Sequence, residues 1–223
     1  MRLWEEAVPL GPEDAASLYL RRRAINAPPA AFDLRLHSSA PVRVYGSGGP
    51  ARAALVARIS DAADRLTAVE LTYLEPNGLP ALGLALPRKT VGVVPPGAAV
   101  RLAPAAPDML AGEGVATTLS AMERFGRPGW ALMSANNLAA WMPPSCVRDL
   151  VIAADRGAVG EAAAARLRHR LLAKGLTVRT LCPDAPFGDW NEVARNTRKE
   201  ESEGAGRRRS GGDRPRRPAG EPS

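Results

Sequence analysis

The sequence predicts an α/β protein in which a parallel sheet flanked by helices follows a smaller α+β region with antiparallel strands. Three patterns indicate this. Strand-like segments joined by polar turns fill residues 1–106, apolar segments alternate with helical ones over residues 107–193, and apolar residues almost vanish from residue 194 onward. Strands that are buried on both faces, as in parallel sheets, are apolar along their whole length. We therefore divide the 223-residue chain into three regions at these points.

The first region, residues 1–106, is predicted to be an antiparallel meander with one helix. Pro and two acids at 12–14 suit the first turn of that helix. Strand-like stretches follow at 54–59 and 66–73, and a strong turn signal, Pro-Asn-Gly, stands at 76–78.

The second region, residues 107–193, alternates strands and helices. Helices are predicted at 115–125 and 161–173, where apolar residues recur at helical spacing. Short apolar strands are predicted at 109–111, 130–133, 150–154 and 176–181. This alternation predicts a parallel sheet that is covered by helices on both faces.

The third region, residues 194–223, is predicted to be a disordered basic tail because it has too little apolar surface to bury. From Arg195 to Ser223 it holds nine Lys or Arg against five Asp or Glu, and so contributes four of the net charge of +7. Such a tail suits a polyanion, since neutralised phosphates release counterions. The alternative is a solvated tail without a specific partner.

Composition excludes several classes of protein. Cys146 and Cys182 are 36 positions apart, which fits neither a zinc site nor a disulfide framework. The apolar runs are far shorter than the roughly 20 residues that a membrane-spanning helix needs. The first six residues already include acids, unlike a signal peptide. We therefore expect a cytoplasmic protein without a membrane partner.

Two acids follow predicted strands of the second region. Glu113 comes after the first strand and Asp155 after the third, and small residues that open a helix follow each. Ligands of open α/β sheets bind at the carboxyl ends of the strands, and Mg²⁺ prefers hard oxygen ligands. The alternative for either acid alone is that its side chain caps the helix that follows.

Four segments in order resemble the motifs of Toprim domains, especially those of the phage and plasmid primase-like group. Leu110–Ser120, LAGEGVATTLS, resembles the glutamate motif, and Leu132–Leu138, LMSANNL, resembles the stretch that follows it. Val151–Gly160, VIAADRGAVG, is similar to the aspartate motif, and Gly188–Val193, GDWNEV, to the closing motif. The resemblance implies a Toprim-type parallel sheet across about 85 residues.

The first region resembles the segment that precedes Toprim in the same group. Its similar stretches are Tyr19–Ile25, Leu34–His37, Pro87–Thr90 and Ala99–Leu102. The resemblance thus extends over roughly residues 4–193.

The resemblance implies metal-dependent nucleotidyl transfer, which in the primase branch is synthesis of an RNA primer on single-stranded DNA. Glu113 would be a catalytic acid or base or a ligand of Mg²⁺ or Mn²⁺, Asp155 a metal ligand, and Asp189 a further ligand. Phosphates of DNA and nucleotides would be held by basic side chains, although Arg on a helix is more often plain surface. These candidates are Lys89, Arg21, Arg22 and Arg23.

The sequence departs from the family motif at its second aspartate, where Gly157 follows Arg156. Losing a carboxylate and gaining an arginine both disfavour metal binding, so the sequence leaves two hypotheses open. One is an active primase-like enzyme serving a plasmid, phage or integrated element. The other is a catalytically impaired Toprim protein that binds DNA or a replication partner. A nuclease of the same superfamily fits less well, because the first region resembles the primase-like group.

The sequence carries neither a GxxxxGK[ST] loop nor zinc-ligand spacing. The resemblance therefore implies a primase-like core whose replication partners would include a separate helicase.

Overall fold

The structure, a computed structural model, describes residues 1–26, 33–46 and 48–210, with side chains up to residue 204. It contains two five-stranded sheets, one antiparallel and one mostly parallel. The predicted α/β class, with an antiparallel region before a parallel sheet flanked by helices, is confirmed.

The first sheet has the strand order β1-β2-β3-β4-β5, and every neighbouring pair is antiparallel. Its strands are β1 (Val8–Pro9), β2 (Leu34–Pro41), β3 (Ala51–Ser60), β4 (Leu66–Leu74) and β5 (Arg88–Gly92). Two helices accompany it, α1 (Arg2–Glu5) and α2 (Ala15–Arg22). Residues 12–14, predicted to form the first turn of this helix, precede α2 instead, and Asp14 caps it by accepting a hydrogen bond from the Ser17 amide at 2.7 Å.

The second sheet has the order β10-β9-β7-β8-β6, in which only β6 runs antiparallel to its neighbour among the described strands. Its strands are β6 (Val100–Arg101), β7 (Asp108–Gly112), β8 (Gly129–Ala131), β9 (Asp149–Ala153) and β10 (Thr177–Leu181). The helices that follow β7, β8, β9 and β10 are α3 (Val115–Phe125), α4 (Ala135–Ala140), α5 (Ala158–Leu172) and α6 (Trp190–Ser210).

Helices cover both faces of the second sheet, which explains why β7 and β9 are apolar and buried after their first residue. Met109 and Ile152 pack with residues of α4 and α5, whereas Leu110 and Val151 pack against Trp190 and residues of α3. Alternate side chains of one strand therefore enter two different cores. This arrangement fixes the carboxyl ends of β7 and β9 side by side.

Strand β6 connects the two regions, although it precedes residue 106. Val100 and Arg101 pair with Ala131 and Trp130 of β8 in the second sheet. A single apolar cluster also contains residues of both regions, among them Leu20, Leu55, Val100, Val115 and Leu119. The first region therefore contributes both an edge strand and part of the core to the second.

The prediction of disorder from residue 194 is wrong as far as Ser210, because α6 continues to that residue. Its first turns are anchored by Trp190 and Val193 in the core beside α3. Farther along, Asn196 donates to Glu200 at 2.8 Å, and Lys199 lies 4.0 Å from Glu203. Such pairs at i, i+4 favour a helix without burial. The rest of the predicted tail, residues 211–223, lies outside the described residues.

Within the described ranges, no helix combines the length and apolar character required to cross a lipid bilayer.

Candidate functional site

The structure places Glu113 and Asp155 at the same edge of the second sheet. Strands β7 and β9 are adjacent and parallel, and Gly112 is paired with Ala153 in their register. Glu113 follows β7 by one residue and Asp155 follows β9 by two. Both side chains are partly buried. The two acids that the sequence analysis singled out therefore stand at neighbouring strand ends.

Neither of these carboxylates caps a helix. The N-cap residues of α3 and α5 are Gly114 and Gly157, and no side chain accepts a capping hydrogen bond at either position. The Glu113 carboxylate has no hydrogen bond to a described residue, and the Asp155 Oδ1 atom is buried without a partner. A buried carboxylate oxygen without a donor is costly. The capping alternative thus does not account for these two acids.

Asp189 is positioned by a local capping arrangement. Its Oδ1 accepts the Glu192 amide at 2.8 Å, and the Glu192 carboxylate in turn accepts the Gly188 amide at 2.7 Å. Asp and Glu at this spacing satisfy amides at the start of a helix reciprocally. Asp189 is therefore both the cap of α6 and the third acid of the site.

The three acids interact electrostatically. The pKa of Asp155 is raised to about 7, first by burial and then by the negative charges of Glu113 and Asp189. Desolvation and nearby like charges both disfavour the ionised form. In the described part of the chain, no basic side chain offsets this effect on Asp155. The site is thus a cluster of carboxylates whose charge lacks compensation.

The fit of this cluster to a divalent cation is partial. The orphaned Asp155 oxygen and the free Glu113 carboxylate are hard oxygen donors of the kind Mg²⁺ prefers. However, no three His, Cys, Asp or Glu side chains within the described ranges are arranged to hold a metal ion. The donor chemistry suits a metal, but the three carboxylates do not form a coordination sphere here.

Gly157, which occupies the position of the second aspartate, has φ +124° and ψ 155°. That region of backbone conformation is accessible almost only to glycine. No atom lies within 4 Å of the place where a Cβ would stand, so conformation rather than space restricts this position. The backbone at this position is therefore one that disfavours an aspartate.

Arg156 turns away from the carboxylates and fastens the loop before Asp189. Its guanidinium donates to the carbonyls of Phe187, at 3.3 Å, and Pro183, while its amide donates to the Gly188 carbonyl at 2.7 Å. The positive charge that the sequence places beside Asp155 thus positions the segment that carries Asp189.

The predicted nucleic-acid-binding residues do not act as one cluster. Lys89 lies on the face of the first sheet opposite to the one near α3, where its ammonium contacts the Val42 carbonyl and the Tyr73 ring, 5.0 Å away. Arg21 bonds to Glu13 at 3.2 Å. The structure therefore does not bring Lys89 or Arg21 to the carboxylates.

Arg22 and Arg23 are nearer to the closing motif. Arg22 lines a groove beside α6, and Arg23 donates to the side chain of Asn191 at 3.0 Å. Arg23 is thus a structural residue in this conformation, and Arg22 is the one of the three that faces a groove together with other basic residues.

Asn191 is a residue that sequence reasoning missed, although it stands in the closing motif. It is 2% exposed, and its amide donates to the Arg23 carbonyl at 2.7 Å and to Ser120 Oγ at 3.0 Å. It therefore ties α6 to both α2 and α3. An amide next to a tryptophan in an otherwise polar segment is a weak signal for such burial.

Two family models match successive parts of the chain. Residues 108–200 match the Toprim domain, and residues 1–102 match a domain of unknown function (DUF7146). A search of curated protein sequences gave no match.

Among solved structures, the chain is similar to bacterial and phage primase fragments. It is 15% identical to a DnaG primase catalytic domain bound to single-stranded DNA, with a TM-score of 0.52 over 85% of this chain and 72% of that one. It is 16% identical to the primase of Aquifex aeolicus, with zinc-binding and RNA polymerase domains. The TM-score there is 0.50, over 84% of this chain and 54% of that one. It is 17% identical to the primase fragment of the bacteriophage T7 primase-helicase, with a TM-score of 0.49 over 77% of this chain and 65% of that one. This chain thus covers less than two thirds of the last two fragments.

Proposed function

Because residues 108–200 carry a Toprim domain within a primase-like fold, we propose that this protein carries out metal-dependent nucleotidyl transfer on DNA. The reaction would be RNA primer synthesis on a single-stranded template. The observation that supports it most is the uncompensated carboxylate cluster at the ends of β7 and β9, with its unpartnered Asp155 oxygen.

In this proposal, Glu113 and Asp155 would hold Mg²⁺ or Mn²⁺, and Asp189 would be a further ligand. A divalent cation, when bound, offsets charge on the transferred phosphoryl group and orients the nucleophile. In its alternative role as a base, the Glu113 carboxylate, which has no hydrogen bond to a described residue, would accept the proton of the attacking hydroxyl, whose oxygen bonds to the α-phosphorus of the nucleotide while pyrophosphate leaves. Arg156 keeps Asp189 in place by fixing the loop in front of it.

The biological setting belongs to the same proposal. Replication of a plasmid, phage or integrated element, with a separate helicase as a partner, rests on the family resemblance of the motifs and of the first region.

The second candidate is a catalytically impaired Toprim protein that binds DNA. The conformation of Gly157 favours it, because the position of the second aspartate is committed to glycine. The first candidate requires that a single metal held by Glu113 and Asp155 supports the reaction, because chemistry that requires two metals would fail here.

The test is template-dependent primer synthesis with ribonucleoside triphosphates and Mg²⁺ or Mn²⁺, comparing the wild type with Glu113→Gln. We expect the variant to lose product by at least about 100-fold, the scale on which acid–base groups contribute. Asp108→Asn is the matched control, because Asp108 is exposed at the opposite end of the same strand. If the wild type binds template but makes no product with either metal, the second candidate replaces the first.

A further inference from the structure

A groove of about 540 Å³ lies beside the N-terminal half of α6, between the end of α2 and the loop that precedes Asp189. Two of its lining residues, Pro186 and Phe187, belong to that loop. Phe187 is two positions from Asp189, so the groove reaches the loop that carries this acid, although none of the three carboxylates lines it. Four basic side chains line it: Arg22, Arg195, Arg198 and Lys199.

The basic side chains of the groove have little compensating charge. Among the described residues, no carboxylate lies within 4 Å of the guanidiniums of Arg22, Arg195 or Arg198, and Lys199 is 4.0 Å from Glu203. The acid in the lining, Glu192, already accepts the Gly188 amide. The groove is therefore a concave surface of net positive charge.

Two of these cations are held in place by neutral acceptors. Arg22 Nε donates to the Asn77 carbonyl at 2.9 Å, and an Arg198 guanidinium nitrogen donates to the Arg21 carbonyl at 3.0 Å. Each guanidinium has five N–H donors, so further ones remain for phosphate oxygens. A guanidinium that is held in place by carbonyl oxygens keeps its full positive charge, whereas an ion pair with a carboxylate would cancel that charge.

We propose that this groove binds the backbone of single-stranded nucleic acid next to the carboxylates, with Phe187 as a stacking surface for a base. Cationic grooves with aromatic side chains are the usual means of holding single strands without sequence preference. The inference rests on the proposed function in one respect, that the strand in the groove is the one presented to Glu113 and Asp155.

The test measures salt-dependent binding of labelled oligodeoxythymidylate and oligouridylate, each of about 20 nucleotides, by fluorescence anisotropy in EDTA. The variant is the double substitution Arg195→Gln and Lys199→Gln. Its matched control is Arg166→Gln and Lys174→Gln, which removes the same charge from exposed positions at α5 and just after it. Chelation of metal separates binding from catalysis.

We expect the slope of log K against log salt to become shallower by about 1.4 in the groove variant, since each phosphate on a single strand contributes about 0.7. Affinity at low salt should fall about tenfold, while the control keeps the wild-type slope. Phe187→Leu should weaken binding about fivefold without a change of slope, because it removes stacking and leaves the charges. Similar results with both oligonucleotides would locate recognition in the shared backbone.

Three results would contradict binding of a single strand in the groove. These are no binding by the wild type, equal salt slopes for the groove variant and its control, or displacement of the labelled strand by polyglutamate as effectively as by unlabelled oligonucleotide of the same charge. The groove and the proposed function can fail separately. If binding depends on the basic residues of the groove but the protein makes no primer, only the proposed function is contradicted. If the protein makes primers but its binding does not depend on Arg195 and Lys199, only the groove proposal is contradicted.

Discussion

At the scale of single residues, Asp155 determines how the site responds to pH. Its ionised form faces Glu113 and Asp189 without a compensating basic side chain in the described residues, and one of its oxygens has no donor. If the proposed metal site exists, protons and divalent cations would compete for the same carboxylate. We expect metal affinity to rise as pH increases through about 7, the pKa to which Asp155 is raised.

Asp155→Asn should increase the free energy of unfolding at pH 8 when metal is chelated. The folded pKa of about 7 exceeds the ordinary value, so the carboxyl takes up a proton on folding between about pH 4 and pH 7. Its charge therefore destabilises the fold above that window, and the effect vanishes at about pH 4. Allowing for partial exposure, we expect a gain of about 1–2 kcal/mol at pH 8 by urea denaturation.

The same measurement separates this explanation from a general effect of the substitution. Mg²⁺ should raise the melting temperature of the wild type at pH 8 and leave that of Asp155→Asn unchanged. Equal gains at pH 4 and pH 8 would mean that the charge of Asp155 is not the cause.

Gly157→Asp should destabilise the protein and not simply restore a metal ligand. A non-glycine residue at φ +124° and ψ 155° costs on the order of 1–3 kcal/mol. Gly157→Ala, which brings the same backbone strain without a carboxylate, is the control. We expect similar losses of stability for both in urea, with tighter Mg²⁺ binding by the Asp variant only if the loop rearranges. An Asp variant as stable as the wild type would contradict the strain.

At the scale of elements, a buried amide helps to hold α6 in place beside the packing of Trp190 and Val193. Asn191→Ala removes the donors to the Arg23 carbonyl and Ser120 Oγ and the acceptor for the Arg23 guanidinium. Leaving buried partners unsatisfied costs about 1–3 kcal/mol, so we expect a loss of about 2 kcal/mol by thermal or urea unfolding. Asn196→Ala on the same helix should cost less than about 0.5 kcal/mol, because its bond to Glu200 is exposed. Equal losses would show that Asn191 does not anchor the helix.

The elements also show which parts of the fold are readable from sequence. Strands β7 and β9 and helices α3 and α5 were predicted within a few residues, because apolar runs and helical spacing reflect burial directly. Helix α6 beyond Ala194 was missed, since it depends on local helix propensity and charge pairs, which an argument from burial does not weigh.

The site was partly predictable for a related reason. Glu113 and Asp155 follow from strand ends and motif order, and the structure sets them at one edge of the sheet. The position of Lys89 depends on which face of β5 its side chain takes. Lys89 shares the less exposed face with the buried Val91, whereas residues 88, 90 and 92 on the other face are exposed, and a lysine gives no sign in the sequence that it lies on the buried side. The direction of the Arg156 side chain depends on carbonyls about 30 positions away in sequence.

At the scale of the whole molecule, the two regions share a core and should unfold together. Leu119 of α3 packs in the same cluster as Leu55 of β3 and Ala68 of β4. Leu119→Ala should cost about 2–5 kcal/mol and lower the amide hydrogen-exchange protection of β3 and β4 as much as that of β7 and β9. Loss of protection confined to the second sheet would identify two independent folding units.

Strand β6 has a practical consequence for any attempt to express the Toprim domain by itself. The family match begins at residue 108, after β6, yet β6 covers the outer edge of β8. A fragment that starts there would leave the outer edge of β8 unpaired and Trp130 without the Arg101 guanidinium that lies 4.8 Å from its ring. Bare strand edges recruit other chains, so such a fragment should self-associate in solution, and a fragment that begins before Val100 should not.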